Sequence, residues 1–188
     1  MILTISRCSW LARTLALPMF FVGFACAASA PEPSEAELSQ KTDALLNLAR
    51  YVEWPAGAFA VPRTPVMIGI YGHTKIHKAL LEAAEGKLIN GRTVLVRRYH
   101  WPQSPNCHIL FIARSERYRL PWIMKRLEHS TVLSVSEFDD FLTVGVMVRM
   151  SIKDDKLCFH VNAAAAKDAG LKFSSKFLSV ADQVIGEP

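Results

Sequence analysis

Residues 66–86 read VMIGIYGHTKIHKALLEAAEG, and the fold is decided there. Val66 to Tyr71 is a short apolar run closed by Gly72, which reads as a buried strand. A run apolar at every position suits a strand covered on both faces. Thr74 to Glu85 then spaces its apolar residues as a helix does, with Ile76, Leu80, Leu81 and Ala84 expected inward and Gly86 closing the last turn. A buried strand followed at once by a helix is the first half of a strand–helix–strand crossover, the connection that parallel sheets need.

Downstream the pattern continues. Thr93 to Tyr99, His108 to Ala113 and Thr131 to Val135 read as strands, and Leu120 to Leu127 as a helix. Ser136 is expected to cap a short helix over Glu137 to Phe141. Val146 to Ile152 and Leu157 to Val161 flank the polar turn Lys153-Asp154-Asp155-Lys156, a β-hairpin expected at one side of the sheet. Asn162 caps a helix to Ala169 that Gly170 ends, and Ser174 caps a last helix to about Val184. Upstream, Ser34 and Glu37 read as a capping box opening a helix with Leu38, Leu45, Leu48, Ala49 and Val52 inward, stopped by Pro55. Ala56 to Pro65 is loop. The expected fold is α/β, a three-layer domain with a largely parallel central sheet and a C-terminal β-hairpin.

The first thirty residues have a different character. Arg7 and Arg13 flank an apolar stretch, Leu15 to Ala28, followed by the small-x-small site Ala28-Ser29-Ala30 and a polar lead-in from Pro31. That order is a secretory signal peptide, with cleavage expected after Ala30 and a single domain over residues 31–188. The apolar stretch is shorter than the ~20 residues that span a bilayer. Gly23-Phe24-Ala25 before Cys26 is a poor fit to a lipoprotein site. Of the formal +5, Arg7 and Arg13 supply two, leaving +3 for residues 31–188. The basic residues are scattered apart from Arg97-Arg98, Arg114 to Arg119 and Lys125-Arg126. An exported chain with no aromatic-basic nucleic-acid module is not expected to bind nucleic acid, while a mildly basic surface suits an acidic protein or a membrane. Cys107 and Cys158 remain after the signal. They are either one disulfide, as an oxidising compartment allows, or two separate buried thiols.

Catalytic signatures are missing: no G-x-S-x-G elbow, no phosphate-binding glycine loop, no H-E-x-x-H. No cofactor is implied, and the chain is not expected to be an enzyme. His73 and His77 are four apart and could face one metal, but no acidic or cysteine ligand adjoins them. Ser174-Ser175-Lys176 lacks the spacing of a serine–lysine pair, and a cap accounts for Ser174. Cys107 and His108 are adjacent on a strand and so point to opposite faces.

Four stretches, taken together, resemble the YfiR family of periplasmic proteins. They are Leu48-Ala49-Arg50-Tyr51-Val52-Glu53-Trp54-Pro55; Ile68-Gly69-Ile70-Tyr71-Gly72; Cys107-His108-Ile109-Leu110-Phe111-Ile112; and the run from Leu133 through the hairpin and Phe159-His160-Val161-Asn162 to Leu178. The resemblance implies an α/β regulator able to form a homodimer. It also implies partners: a membrane diguanylate cyclase restrained through its periplasmic sensor part, and an OmpA-like outer-membrane lipoprotein that sequesters the regulator. Other family members sit near histidine kinases or outer-membrane receptors. Members with two disulfides need four cysteines, and this chain keeps two. Only Cys107 matches clearly, and its partner is replaced by an apolar residue in the Val66 to Ile70 strand.

Two functions therefore stand side by side: a periplasmic inhibitor of a membrane signalling enzyme, or a periplasmic small-ligand sensor for a membrane receptor or histidine kinase. For the first, the apolar C-terminal segment with Leu171, Phe173 and Phe177 is the candidate partner surface. Its plainer reading is that all three are core.

Overall fold

The computed structural model describes residues 33–139 and 142–187. The signal peptide expected over residues 1–30 lies outside them, as do Asp140 and Phe141. Chain order is α1 (Glu35–Tyr51), β1 (Val52–Glu53), β2 (Val66–Tyr71), α2 (Ile76–Ala84), β3 (Leu88–Ile89), β4 (Arg92–Tyr99), β5 (Ile109–Ile112), a 3-10 turn (Arg114–Arg119), α3 (Leu120–Leu127), β6 (Leu133–Ser136), β7 (Val148–Lys153), β8 (Lys156–Asn162), α4 (Ala163–Asp168), β9 (Lys172–Phe173), α5 (Ser175–Leu178) and β10 (Gln183–Ile185).

The main sheet has the order β10-β8-β7-β6-β5-β2-β4-β3. β4, β2, β5, β6 and β7 are parallel neighbours, β8 returns antiparallel to β7, and β10 runs parallel to β8. The hairpin turns on Asp154 and Asp155 alone, both at positive φ (50° and 59°). A two-residue turn with both φ positive matches the natural twist of its flanking strands. The strand period of two divides the core. Ile68, Ile70, Ile109, Phe111, Leu133 and Val135 face α1, α2, α4 and α5, whereas Tyr71, Leu110 and Ile112 face α3. The expected three layers and parallel sheet are both present.

Five local expectations are corrected. α1 stops at Tyr51, short of Pro55, because Val52 turns extended (φ −107°, ψ 127°) to pair with Phe173 in a small two-stranded sheet, β1 with β9. Ser34 does cap α1, accepting the Glu37 amide at 3.1 Å. Glu37, however, turns its carboxylate to Lys41, and the buried Lys41 also pairs with Glu137. Leu81 is exposed, since it falls past the edge of the stripe formed by Ile76, Leu80 and Ala84. No helix follows Ser136 among the described residues; its hydroxyl accepts the Phe138 amide two residues on, a local turn that competes with helix. The last helix is only Ser175–Leu178, and Val184 lies in β10, where the unpaired edge of β8 offers its amides and carbonyls a ladder.

Two glycines are required by contact. A Cβ on Gly69 would stand 2.8 Å from the Cys107 sulfur and 2.9 Å from the Tyr99 ring. Gly72, at φ +92°, lets the Ser115 hydroxyl and the Glu116 stem pack onto the end of β2.

Candidate partner-docking surface

Leu171, Phe173 and Phe177 are all buried, at 3, 4 and 2% exposure, and belong to the larger core. The expectation of a contact surface made by these three side chains is therefore corrected. Pairing of β9 with β1 turns Phe173 inward, and the Ser174 cap, accepting the Phe177 amide at 3.3 Å, aims the Phe177 ring under α1.

What lies above Phe177 is open. Its ring stacks on Tyr51 (centroids 5.9 Å apart, 12° between planes) and meets Phe159 edge-on (5.2 Å) and Phe173 obliquely (5.4 Å). Tyr51 and Phe159 are only half-buried. With Leu48, Leu157 and Val180 they line a groove of about 380 Å³ between α1, β8 and α5. Gln40, Asp43 and Asn47 on α1 form its polar rim. The walls are fixed by bonds rather than by packing alone. The Gln40 amide donates to the Asp155 carbonyl (3.0 Å) and accepts the Leu157 amide (3.0 Å), tying α1 to the hairpin. Asp182 accepts the Phe159 amide (2.8 Å), tying the chain after α5 to β8. Partial burial pushes the Asp182 carboxyl upward, but the Phe159 amide, the Cys158 thiol and His160 outweigh it and hold the carboxyl below its ordinary range. A half-exposed aromatic cluster on a buried ring, rimmed by polar groups, has the makeup of an interface hot spot. A larger hollow of about 680 Å³, between α3, α4 and residues 143–147, mixes Met124, Val144 and Met147 with Lys125, Glu128 and Asp168. It lacks an aromatic anchor.

The other candidates separate. Cys107 and Cys158 are both free thiols. They stand on or beside β5 and β8, three strand positions apart, about 14 Å at ~4.8 Å per step. That is twice the reach of a disulfide, so of the two arrangements left open the structure has the two separate thiols, with Cys158 only half-buried. Burial pushes Cys107 up to about 12. The β2 residue facing it is Gly69, where a Cβ would stand 2.8 Å from the Cys107 sulfur. His108 does point away from Cys107. Its Nδ1 accepts the Met67 amide (2.9 Å) and its Nε2 lies 3.1 Å from the Ala58 carbonyl, so Nε2 carries the proton. The ring stacks on Phe59 at 4.4 Å with Trp54 edge-on at 5.7 Å, which fastens the 56–65 loop to the sheet. His73 lies in the turn before α2 and tilts toward His100, 6.4 Å between rings. No cluster of three metal-binding side chains occurs among the described residues.

The groove was hidden from sequence because Tyr51, Phe159 and Val180 come from three distant segments. Only the enrichment of aromatics in the stretches around residues 48–55 and 159–178 hinted at it. No described helix is long and apolar enough to cross a membrane. A family model described as YfiR/HmsC-like matches residues 39–182. No curated protein matches the chain.

Proposed function

The chain belongs to the YfiR/HmsC-like family, and on that premise we propose that it is a periplasmic protein that binds and inhibits a membrane-bound diguanylate cyclase. The family is one of periplasmic signalling regulators rather than catalysts. The observation that carries the proposal furthest is the half-open ring cluster of Tyr51 and Phe159 on buried Phe177. An apolar side chain from the enzyme's periplasmic sensor part would cover these rings, and the polar rim would set its orientation. Inhibition then follows from linkage: a regulator that prefers the inactive sensor conformation shifts the population by its differential affinity. A preference of ~100-fold, about 2.7 kcal/mol, turns a balanced switch mostly off. An OmpA-like outer-membrane lipoprotein competing for the same groove would release the cyclase. We propose a homodimer as the acting species, which sedimentation of the exported protein measures directly.

Deleting the gene is expected to raise cyclic di-GMP. Complementation with Val180→Asp or Phe159→Ser, each folded and exported, is expected to leave it high. Unchanged cyclic di-GMP on deletion removes the inhibitor reading. A second reading has its own support: 380 Å³ lies within the size range of small-ligand pockets. A small aromatic ligand that raises the melting temperature, with Phe159→Ser abolishing the rise, would favour a ligand-sensing module for a membrane receptor or histidine kinase.

A further inference from the structure

The 3-10 turn and α3 carry an outward face that neither the core nor the aromatic groove uses. Residues 114–126 hold five basic side chains against one acid, Glu116. Glu116 is buried and bonded to Arg119 (3.0 Å), so what this segment shows to water is basic. Its net +4 exceeds the +3 of residues 31–188 as a whole. At the centre of the face stand two large rings. Tyr118 is 89% exposed and Trp122 58% exposed. Trp122 and Arg126 are four apart on α3 and so share one side of it, and Tyr118 stands in the 3-10 turn that leads into it. Arg126 also sits 4.8 Å over the ring of Trp101, itself 37% exposed, and donates to the Ser104 hydroxyl (3.3 Å).

We propose that this face docks reversibly on an anionic phospholipid surface. Three observations select lipid over a protein partner. The rings are amphipathic, with a phenol hydroxyl and an indole N–H on apolar bodies, the side chains that gather at bilayer interfaces. The surrounding Arg and Lys side chains are long enough to reach headgroup phosphates while their stems lie along the rings. The rings also project: a tyrosine at 89% exposure leans on almost nothing, and a fluid interface accepts such a projection without a matching socket. Charge complementarity supplies the attraction, and two or three aromatic side chains supply shallow insertion, a combination that gives peripheral and reversible binding. α3 covers the sheet face opposite α1 and α5, so lipid contact leaves the groove of Tyr51 and Phe159 free. The contact would hold the regulator at the membrane, whichever membrane protein the groove recognises.

Vesicle flotation of the exported protein tests this. Vesicles of equimolar phosphatidylglycerol and phosphatidylcholine are expected to carry the protein at low salt, and pure phosphatidylcholine vesicles about tenfold less, with release as salt screens the charges. The Trp122→Ser/Tyr118→Ser pair and the Lys125→Glu/Arg126→Glu pair are each expected to cut anionic-vesicle binding by at least about tenfold, with melting temperature and circular dichroism unchanged. The two pairs fail independently if either does not fold. Equal binding to both vesicle types, no binding to either, or full binding by both folded pairs overturns the proposal. So does a result in which the vesicles fail but the same substitutions abolish capture of an acidic protein, which would make the face a protein interface.

Discussion

The two faces of the sheet are finished differently. On one, α1, α2, α4 and α5 close over a core that draws on β2, β5, β6, β7 and β8, and the aromatic rings left half-open, Tyr51 and Phe159, rest on a ring that is fully enclosed. On the other, the eight residues of α3 and the turn before it cover a smaller core of Tyr71, Tyr99, Leu110 and Ile112, and Tyr118 and Trp122 stand exposed on their outer side. The first face offers a concave, rigid, mostly uncharged site. The second offers a projecting, cationic one. Concavity with a buried aromatic floor suits a specific side chain, while projecting rings among arginines suit a surface with no fixed shape. A single small domain can thus separate choice of partner from choice of location.

The largest expected effect lies at the floor of the first face. Phe177→Ala is expected to cost about 3–5 kcal/mol in denaturant unfolding, since it removes a buried ring that meets Tyr51, Phe159 and Phe173. A cost below about 1 kcal/mol would mean the site collapses and the groove is not rigid.

A tight point inside the second face is Gly69. Gly69→Ala puts a methyl against Cys107, Tyr99 and Leu110 at 3.0 Å or less, and is expected to cost about 1–3 kcal/mol. The same measurement sharpens the comparison: the first face is sensitive to lost volume, the second to added volume. An unaltered midpoint would show that the smaller core yields freely.

Acid should loosen the edge between the loop and the sheet. Burial and Arg92 hold His108 below its ordinary 6.5, against an opposing pull from the Ala58 carbonyl. With the folded value depressed, the unfolded chain binds the proton more readily. The contribution of neutral His108 is therefore full above pH 6.5 and is lost as pH falls below it toward the folded value. The melting temperature is expected to drop over that window, and His108→Asn, whose carbonyl can still accept the Met67 amide, should flatten the drop. His77 and His160 are also depressed, chiefly by burial, so a residual slope is expected in the variant.

The smallest stability effects belong to the two proposed contact surfaces. Val180→Asp and Trp122→Ser, at positions 64% and 58% exposed, are expected to change stability by less than about 0.5 kcal/mol. Their functional effects should divide: Val180→Asp is expected to lose inhibition and keep vesicle binding, and Trp122→Ser the reverse. Loss of both by either variant would collapse the distinction between the faces.

Most of the fold was legible along the chain. Val66–Tyr71 and Leu120–Leu127 fall where the apolar pattern places them, because strand and helix periods are local properties of consecutive residues. Ser34, Asn162 and Ser174 act as caps because a cap needs only the amide two or three residues ahead. The hairpin at Asp154-Asp155 and the family resemblance were equally readable. The tertiary structure decided whatever depends on a distant partner. β1 and β10 exist only because β9 and β8 present open edges, so α1 ends early and the last helix shrinks to four residues. Cys107 and Cys158 stay apart because β6 and β7 lie between their strands. Leu171, Phe173 and Phe177 read the same whether core or contact, and burial was settled by α1 folding over them. An apolar side chain carries no mark of which surface will remove it from water; only the assembled neighbours do that.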